Sequence, residues 1–272
     1  MKLSANDKAT QNKKLPTETE HSEKTRYCVL DALRGLAVIN MIVYHTLWDL
    51  VYIFNFDLPW YHSKGAYAWQ QGICWTFILI SGFCYPFGNK KGKAQRGAQI
   101  FLFGFLISLC TWIFMPEDSI TFGVLTLIGS CMLLLLPAEK FLRKFNPIIG
   151  AVISAFLFFL TRNVNNGYLG FEGLNLLRLP DFLYSNLATA YFGFPSADFS
   201  SSDYFSLIPW FFLFITGCFL NGIFEKYSLL GLLKPHKARV IEWFGRHSLP
   251  VYVIHQPIIY AVCFIIFSGR IS

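Results

Sequence analysis

Two pairs of ionisable residues interrupt the first long apolar run of this chain. Their types suit anion binding at one end and proton transfer at the other. Asp31 and Arg34 are three positions apart, and His45 and Asp49 four, spacings at which side chains on one helix meet. Arg34 and His45 lie 11 positions apart, within about 20° of three full turns, so a helix carries both on one face, about 16 Å apart along its axis. A guanidinium at a membrane surface matches the geometry of a phosphate. An imidazole beside a carboxylate matches a general base held in one tautomer. Charges inside a membrane cost about 2.5–3.5 kcal/mol each on insertion scales, so two such pairs on one stripe point to function. Two structural locks, an ion pair at the membrane edge and a buried hydrogen bond, would satisfy the same spacing.

The elements that must position these residues are membrane helices. Of the 272 residues, 54 % are apolar and 14 % charged, with 29 Phe, 13 Tyr, 7 Trp and a mean hydropathy of +0.44. Ordinary globular domains carry about 25 % charged residues. A cytosolic enzyme, a disordered tail and a disulfide-stapled secreted module are therefore excluded. Apolar runs near the roughly 20 residues a span needs fall at 29–54, 66–86, 98–115, 121–137, 147–161, 204–223 and 248–267, of which 121–137 and 147–161 are short. Lipid offers the backbone no hydrogen-bond partner, so continuous apolar runs of this length become helices. The sequence predicts an all-α polytopic membrane protein with about seven transmembrane helices.

Basic residues concentrate in alternate connections. The first set, including the N-terminal segment, carries a net +11 and the other set −3. This is the positive-inside pattern. It places the N-terminus in the cytoplasm and, with seven spans, the C-terminus outside. The overall +7 then needs no nucleic-acid partner. Residues 1–26 read as a polar cytoplasmic tail and 27–272 as one membrane domain, whose first span acts as an uncleaved signal anchor. The seven Cys show no metal-ligand spacing, and no metal is expected. The outer segment 162–203 is too long for a mere connector. Its Tyr168, Phe171, Tyr184, Tyr191, Phe194 and Tyr204 read either as a wall that stacks on sugar rings or as an interfacial aromatic belt. Trp60, Trp69 and Trp210 read as interface anchors.

The stretch RYCVLDALRGLAVINMIVYHTLWDL, from Arg26 to Leu50, resembles the opening of membrane acyltransferases whose first helix carries Arg-x10-His. More closely, it resembles bacterial relatives of the heparan-α-glucosaminide N-acetyltransferase catalytic domain. The likeness continues through TFGVLTLIG (Thr121 to Gly129), SDYFSLIPWFFLFITGCFLNG (Ser202 to Gly222) and GRHSLPVYVIHQPI (Gly245 to Ile258). The resemblance implies an acyltransferase moving an acetyl or other acyl group from acetyl-CoA to a sugar or glycan acceptor across or at the membrane. It further implies the cell membrane of a bacterium as the location. Arg34 and His45 match the paired motif positions, and His255 matches the histidine of the SLxxYxxHQP stretch. In the family's lysosomal member the catalytic histidine precedes the second membrane helix, where this chain has His62.

On this reading His45 is the base, oriented by Asp49, with His62 second. Arg34 and Asp31, with His255 and Arg246, serve acyl-CoA. His62 is otherwise an exposed loop residue, and His255 an interhelical hydrogen-bonding group. An Arg/His/Asp face inside the membrane also fits a proton-coupled transporter or a scaffold that docks a partner helix. A homodimer is compatible with either.

Overall fold

The computed structural model describes residues 26–235 and 238–267. Residues 1–25 of the N-terminal tail lie outside the described residues, as do His236, Lys237 and Arg270. In chain order the helices are α1 (Cys28–Trp48), α2 (Lys64–Cys84), α3 (Lys90–Phe114), α4 (Val124–Leu142) and α5 (Pro147–Leu160). A hairpin of β1 (Tyr168–Phe171) and β2 (Leu174–Arg178) follows, then α6 (Leu187–Phe192), α7 (Leu207–Lys226), α8 (Arg239–Arg246) and α9 (Ser248–Phe267). The chain is an all-α polytopic membrane protein. The helices α3, α4, α7, α9 and α1 with its extension to Ile53 are long and apolar enough to cross a membrane. Helix α2 has the length, 21 residues, but carries Lys64, Gln70 and Gln71 in its first two turns. Helix α5 has 14 residues, about 21 Å of rise.

Local sequence sets where the rods begin. Ser63 accepts from Ala66 N–H at 3.3 Å, Asn89 from Gly92 N–H at 2.7 Å, and Asn146 from Ile148 N–H at 3.0 Å, the last followed by Pro147 at the first helical position. The Asn89 cap corrects one expectation. Lys90 to Arg96 is no loop but the opening of α3, because a capped Lys/Ala/Gln/Arg run is a good helix former. Lys93 and Arg96, three apart, thereby share a helix face.

The core lies between α2, α4, α5 and α7, where Ile78, Leu127, Phe158 and Phe214 are buried. Small residues bring helix backbones together, as expected where lipid competes with apolar side chains. A Cβ built on Gly82 of α2 would lie 2.0 Å from the Phe214 carbonyl oxygen of α7, and one on Gly217 would lie 2.2 Å from the Leu79 oxygen. Gly35 of α1 and Gly245 of α8 pack in the same way, and a Cβ built on either would lie 1.8 Å from the facing carbonyl oxygen. Gly82→Ala must push α7 away, so we expect a loss of about 1–3 kcal/mol, read as a lower thermal midpoint in detergent. An unchanged midpoint would contradict this packing.

The outer segment is folded. Its β1 and β2 pair antiparallel, Tyr168 opposite Arg178 and Phe171 opposite Leu174. Arg162, at the end of α5, pins the hairpin to α2. Its Nη2 donates to Tyr67 Oη at 3.1 Å and Gln71 Oε1 at 2.9 Å, and its Nε lies 3.4 Å from Glu172. The same guanidinium lies 4.9 Å from the centroid of the Trp210 ring. Trp210 is therefore a buried core residue rather than an interface anchor. Trp60 is exposed, and Trp69 donates to Asn40 Oδ1 at 3.0 Å.

Candidate active site

A cavity of about 810 Å³ opens among the inner ends of α1, α2 and α3 and runs up between α4 and α9. Arg26, Arg34, Asp31, Lys93 and Arg96 line its entrance. Arg34 Nη1 is 3.5 Å from Asp31 Oδ1, and Arg26 Nε is 3.1 Å from the other oxygen of the same carboxylate. Arg34 Nη2 also donates to Cys84 Sγ at 3.2 Å. Arg96 stands beside both Arg34 and Cys84. Among the described residues no carboxylate is paired with Arg96. Two guanidiniums thus share one carboxylate while a third stands unpaired beside them, and the entrance carries an excess of positive charge. Lys93 is neutralised separately by Glu139 at 2.7 Å. Farther in, Phe77, Ile100, Leu125, Ile128 and Tyr252 make a largely apolar wall. A charged entrance and an apolar shaft suit a long ligand with an anionic head.

Beyond Tyr252 lies a small polar centre. The rings of His45 and His255 meet edge to face, 5.0 Å between centroids. His255 Nδ1 is 2.6 Å from the Tyr252 carbonyl oxygen. Because a carbonyl only accepts, this contact assigns the proton to Nδ1. The lone pair is left on Nε2, which is buried without a protein partner. Among the described residues no hydrogen bond engages the His45 ring.

Asp49 does not pair with His45 as its spacing predicts. The helix widens into i→i+5 turns over Asp49–Ile53, and the carboxylate instead accepts from Gln256 Nε2 of α9 at 2.6 Å. Its other oxygen is buried and unpartnered. His62 is exposed at the end of a short 3-10 turn, Pro59–His62, with its ring 5.9 Å from Tyr52. Beside it Tyr61 is buried and donates to the Tyr44 carbonyl at 3.4 Å, and burial pushes its phenol well above the usual range.

The other expected site residues are spread more widely. Arg34 and Asp31 line the inner cavity, whereas Arg246 does not. Its neighbour Gly245 takes the contact with Asp31, and Arg246 is left exposed with Nε on the Glu242 carbonyl at 3.3 Å. His255 sits one turn beyond the cavity wall. Among the described residues no cluster of three His, Cys, Asp or Glu is gathered to hold a metal ion.

A second cavity, about 670 Å³, lies in the outer segment. Asn165, Asn166, Tyr168, Arg178, Asp181, Tyr184, Ser196, Ser201 and Tyr204 line it. Three of the six expected aromatics are therefore on its wall. Of the others, Phe171 packs on Trp75 and Phe159, Tyr191 on Phe122, and Phe194 on Tyr184.

Residues 201–205 form a partition that touches residues lining both cavities. Ser201 Oγ accepts from Thr121 N–H at 2.8 Å and donates to the Thr121 carbonyl at 3.0 Å. Phe205 N–H donates to the Phe122 carbonyl at 2.8 Å. Residues 201–205 are so pinned along 119–122 that the Asp203 carboxylate stands against Gly123 and Val124 and faces the Tyr252 hydroxyl. Tyr252 lines the inner cavity, and Tyr204, the residue after Asp203, lines the outer one. Asp203, at the start of a span, reads from the sequence as shaping the acceptor mouth, and nothing local singles out Tyr252. Lys93 and Arg96 read from the sequence only as part of the basic alternation.

A family model described as heparan-alpha-glucosaminide N-acetyltransferase, catalytic, matches residues 26–257. No curated protein and no solved structure matches the chain.

Proposed function

The chain belongs to the heparan-alpha-glucosaminide N-acetyltransferase catalytic family, and from that premise we propose that it carries acetyl from acetyl-CoA in the inner cavity to a sugar acceptor in the outer one. In this reading it works in the cell membrane. The observation that supports it is the partition. One cavity is lined by the basic ends of α1 and α3 and the other by the segment between α5 and α7, and Asp203, next to Tyr204 of the second, faces Tyr252 of the first, one turn from His255 and its neighbour His45.

Arg26, Arg34 and Arg96 hold the phosphates of the donor, which are anionic and arrive from the basic, cytoplasmic side. The apolar shaft accepts the pantetheine arm and leads its thioester towards Tyr252. An acceptor amine or hydroxyl gives its proton to His45 and attacks the thioester carbonyl carbon. The new C–N or C–O bond forms, the C–S bond breaks, and the thiolate of CoA takes up a proton on leaving. His255, its tautomer fixed by the Tyr252 carbonyl, turns a lone pair towards this centre and steadies the proton held by the histidine pair.

Transfer in proteoliposomes of known orientation tests the reading. With acetyl-CoA on the face that bears Arg34 and glucosamine on the other, acetylated sugar should accumulate. With the two substrates exchanged between faces it should not. Equal transfer in both arrangements, or glucosamine uptake indifferent to CoA, would overturn the proposal.

A further inference from the structure

Helix α5 supplies only about 21 Å of the roughly 30 Å that hydrocarbon requires. Its inner end is fixed by the Asn146 cap beside Arg143 and Lys144, so the deficit falls at its outer end. The β1–β2 hairpin sits there. Thr161, next after α5, bridges Gly170 of β1, and Phe171 packs on Phe159 of α5 at 5.1 Å. While β1 packs inward, all five residues of β2 are exposed, and Leu174, Leu176 and Leu177 are each 60 % exposed. Exposed apolar residues also lie on α5, where Val152 and Phe156 are 64 % and 61 % exposed.

A water-facing strand carrying three leucines is costly, and hydrocarbon does not tolerate a free sheet edge. The boundary between acyl chains and headgroups satisfies both limits. The hairpin is equipped for it, because the buried Asn163 amide donates to the Glu172 carbonyl at 2.7 Å and the Leu174 carbonyl at 3.2 Å. At the end of the same strand Arg178 turns polar. It is paired with Asp181 at 3.0 Å and lines the outer cavity.

We propose that β2 lies in the outer leaflet and that the acceptor is a lipid-linked glycan, its sugar in the outer cavity and its hydrocarbon along Leu174, Leu176 and Leu177. The proposal rests on the outer cavity being the acceptor site. A free sugar has no use for an apolar strand that ends in a cavity-lining arginine, whereas an amphiphile held in the leaflet can lay its hydrocarbon on the strand with its sugar at Arg178.

Two measurements in proteoliposomes test this. Leu176→Cys should resist a membrane-impermeant maleimide while Ser185→Cys, on the exposed outer surface, is labelled, with the unsubstituted chain as blank. Labelling at both positions at the same rate overturns the embedding, whatever the activity. Secondly, Leu174→Ser, Leu176→Ser and Leu177→Ser combined should raise KM for diacylglycerol-linked glucosamine at least tenfold. The same variant should leave kcat, and KM for free glucosamine, unchanged. Equal effects on both sugars, or on neither, overturn the lipid-linked occupant. If the unsubstituted protein acetylates neither sugar, the acceptor reading fails and takes the occupant with it, and the maleimide result still decides where the strand lies.

Discussion

His45→Ala lowers kcat for acetyl transfer by about 10²- to 10⁴-fold, the range that a positioned acid–base group contributes, and leaves the affinity for acetyl-CoA unchanged. The geometry argues for this split. His45 lies beyond the wall of the inner cavity, against His255, while Arg34 stands about 16 Å away along the same helix. Its ring carries no hydrogen bond among the described residues, so removal orphans no buried partner. His45→Gln keeps a polar side chain of similar reach but cannot take up a proton at neutral pH, and should lose as much as the alanine variant. His62→Ala, measured beside it, should change kcat less than tenfold, because His62 is exposed and packs only on the Tyr52 and Tyr61 rings. If the loss falls on His62 instead, the base belongs to the outer turn and the assignment to His45 is wrong.

The Asp49 carboxylate separates two roles that its spacing from His45 confounds. Its partner is Gln256 of α9, and a widened helical turn begins at its own position. Nothing local in HTLWDLVYI announces that turn. It arises where α1 must meet α9, about 200 residues later in the chain. Periodicity therefore finds the face that carries Arg34 and His45, since that needs only 3.6 residues per turn. It misplaces Asp49, whose carboxylate is taken by a tertiary partner rather than by the histidine one turn away. The same limit hides the partition. Asp203 and Tyr252 belong to different elements, and their meeting depends on Ser201 and Phe205 being tied to Thr121 and Phe122. A carboxylate just before a span reads from sequence as a loop residue.

Charge is legible in another way. The alternation of basic and acidic connections predicts an orientation for the helices, but it offers one explanation for every lysine and arginine on the basic side. Lys93 and Arg96 were thereby explained too soon. Only the Asn89 cap, which starts α3 before them, turns both towards the cavity, while Arg246, equally basic and equally placed in sequence, ends exposed on α8. The short apolar run at 147–161 tells the opposite story. Its brevity was plain from the residues, and it becomes meaningful only with an exposed, leucine-rich strand at its outer end.

Arg34→Ala and Arg96→Ala should each weaken CoA binding by about 10- to 150-fold, and they should do so for different local reasons. A hydrogen bond to a charged group contributes about 1.5–3 kcal/mol, and about 1.36 kcal/mol is a factor of ten. Arg34 is held by Asp31 and Cys84, so its removal also frees the carboxylate, which then faces the incoming phosphates with only Arg26 to balance it. Arg96 has no carboxylate among the described residues, and stands against the like charge of Arg34. Without a ligand that arrangement is unfavourable, so Arg96→Ala should leave the thermal midpoint unchanged or raise it while weakening CoA. Arg34→Lys should fall between wild type and alanine, since an ammonium keeps the charge but loses the planar fork. Both arginines act at an entrance open to water, so the affinity of the unsubstituted protein should decline as salt rises, and less steeply in either variant. Calorimetric titration of CoA into the protein in nanodiscs reads all of these. Wild-type affinity in both alanine variants would mean that the basic entrance only orients the helices and that the donor binds elsewhere.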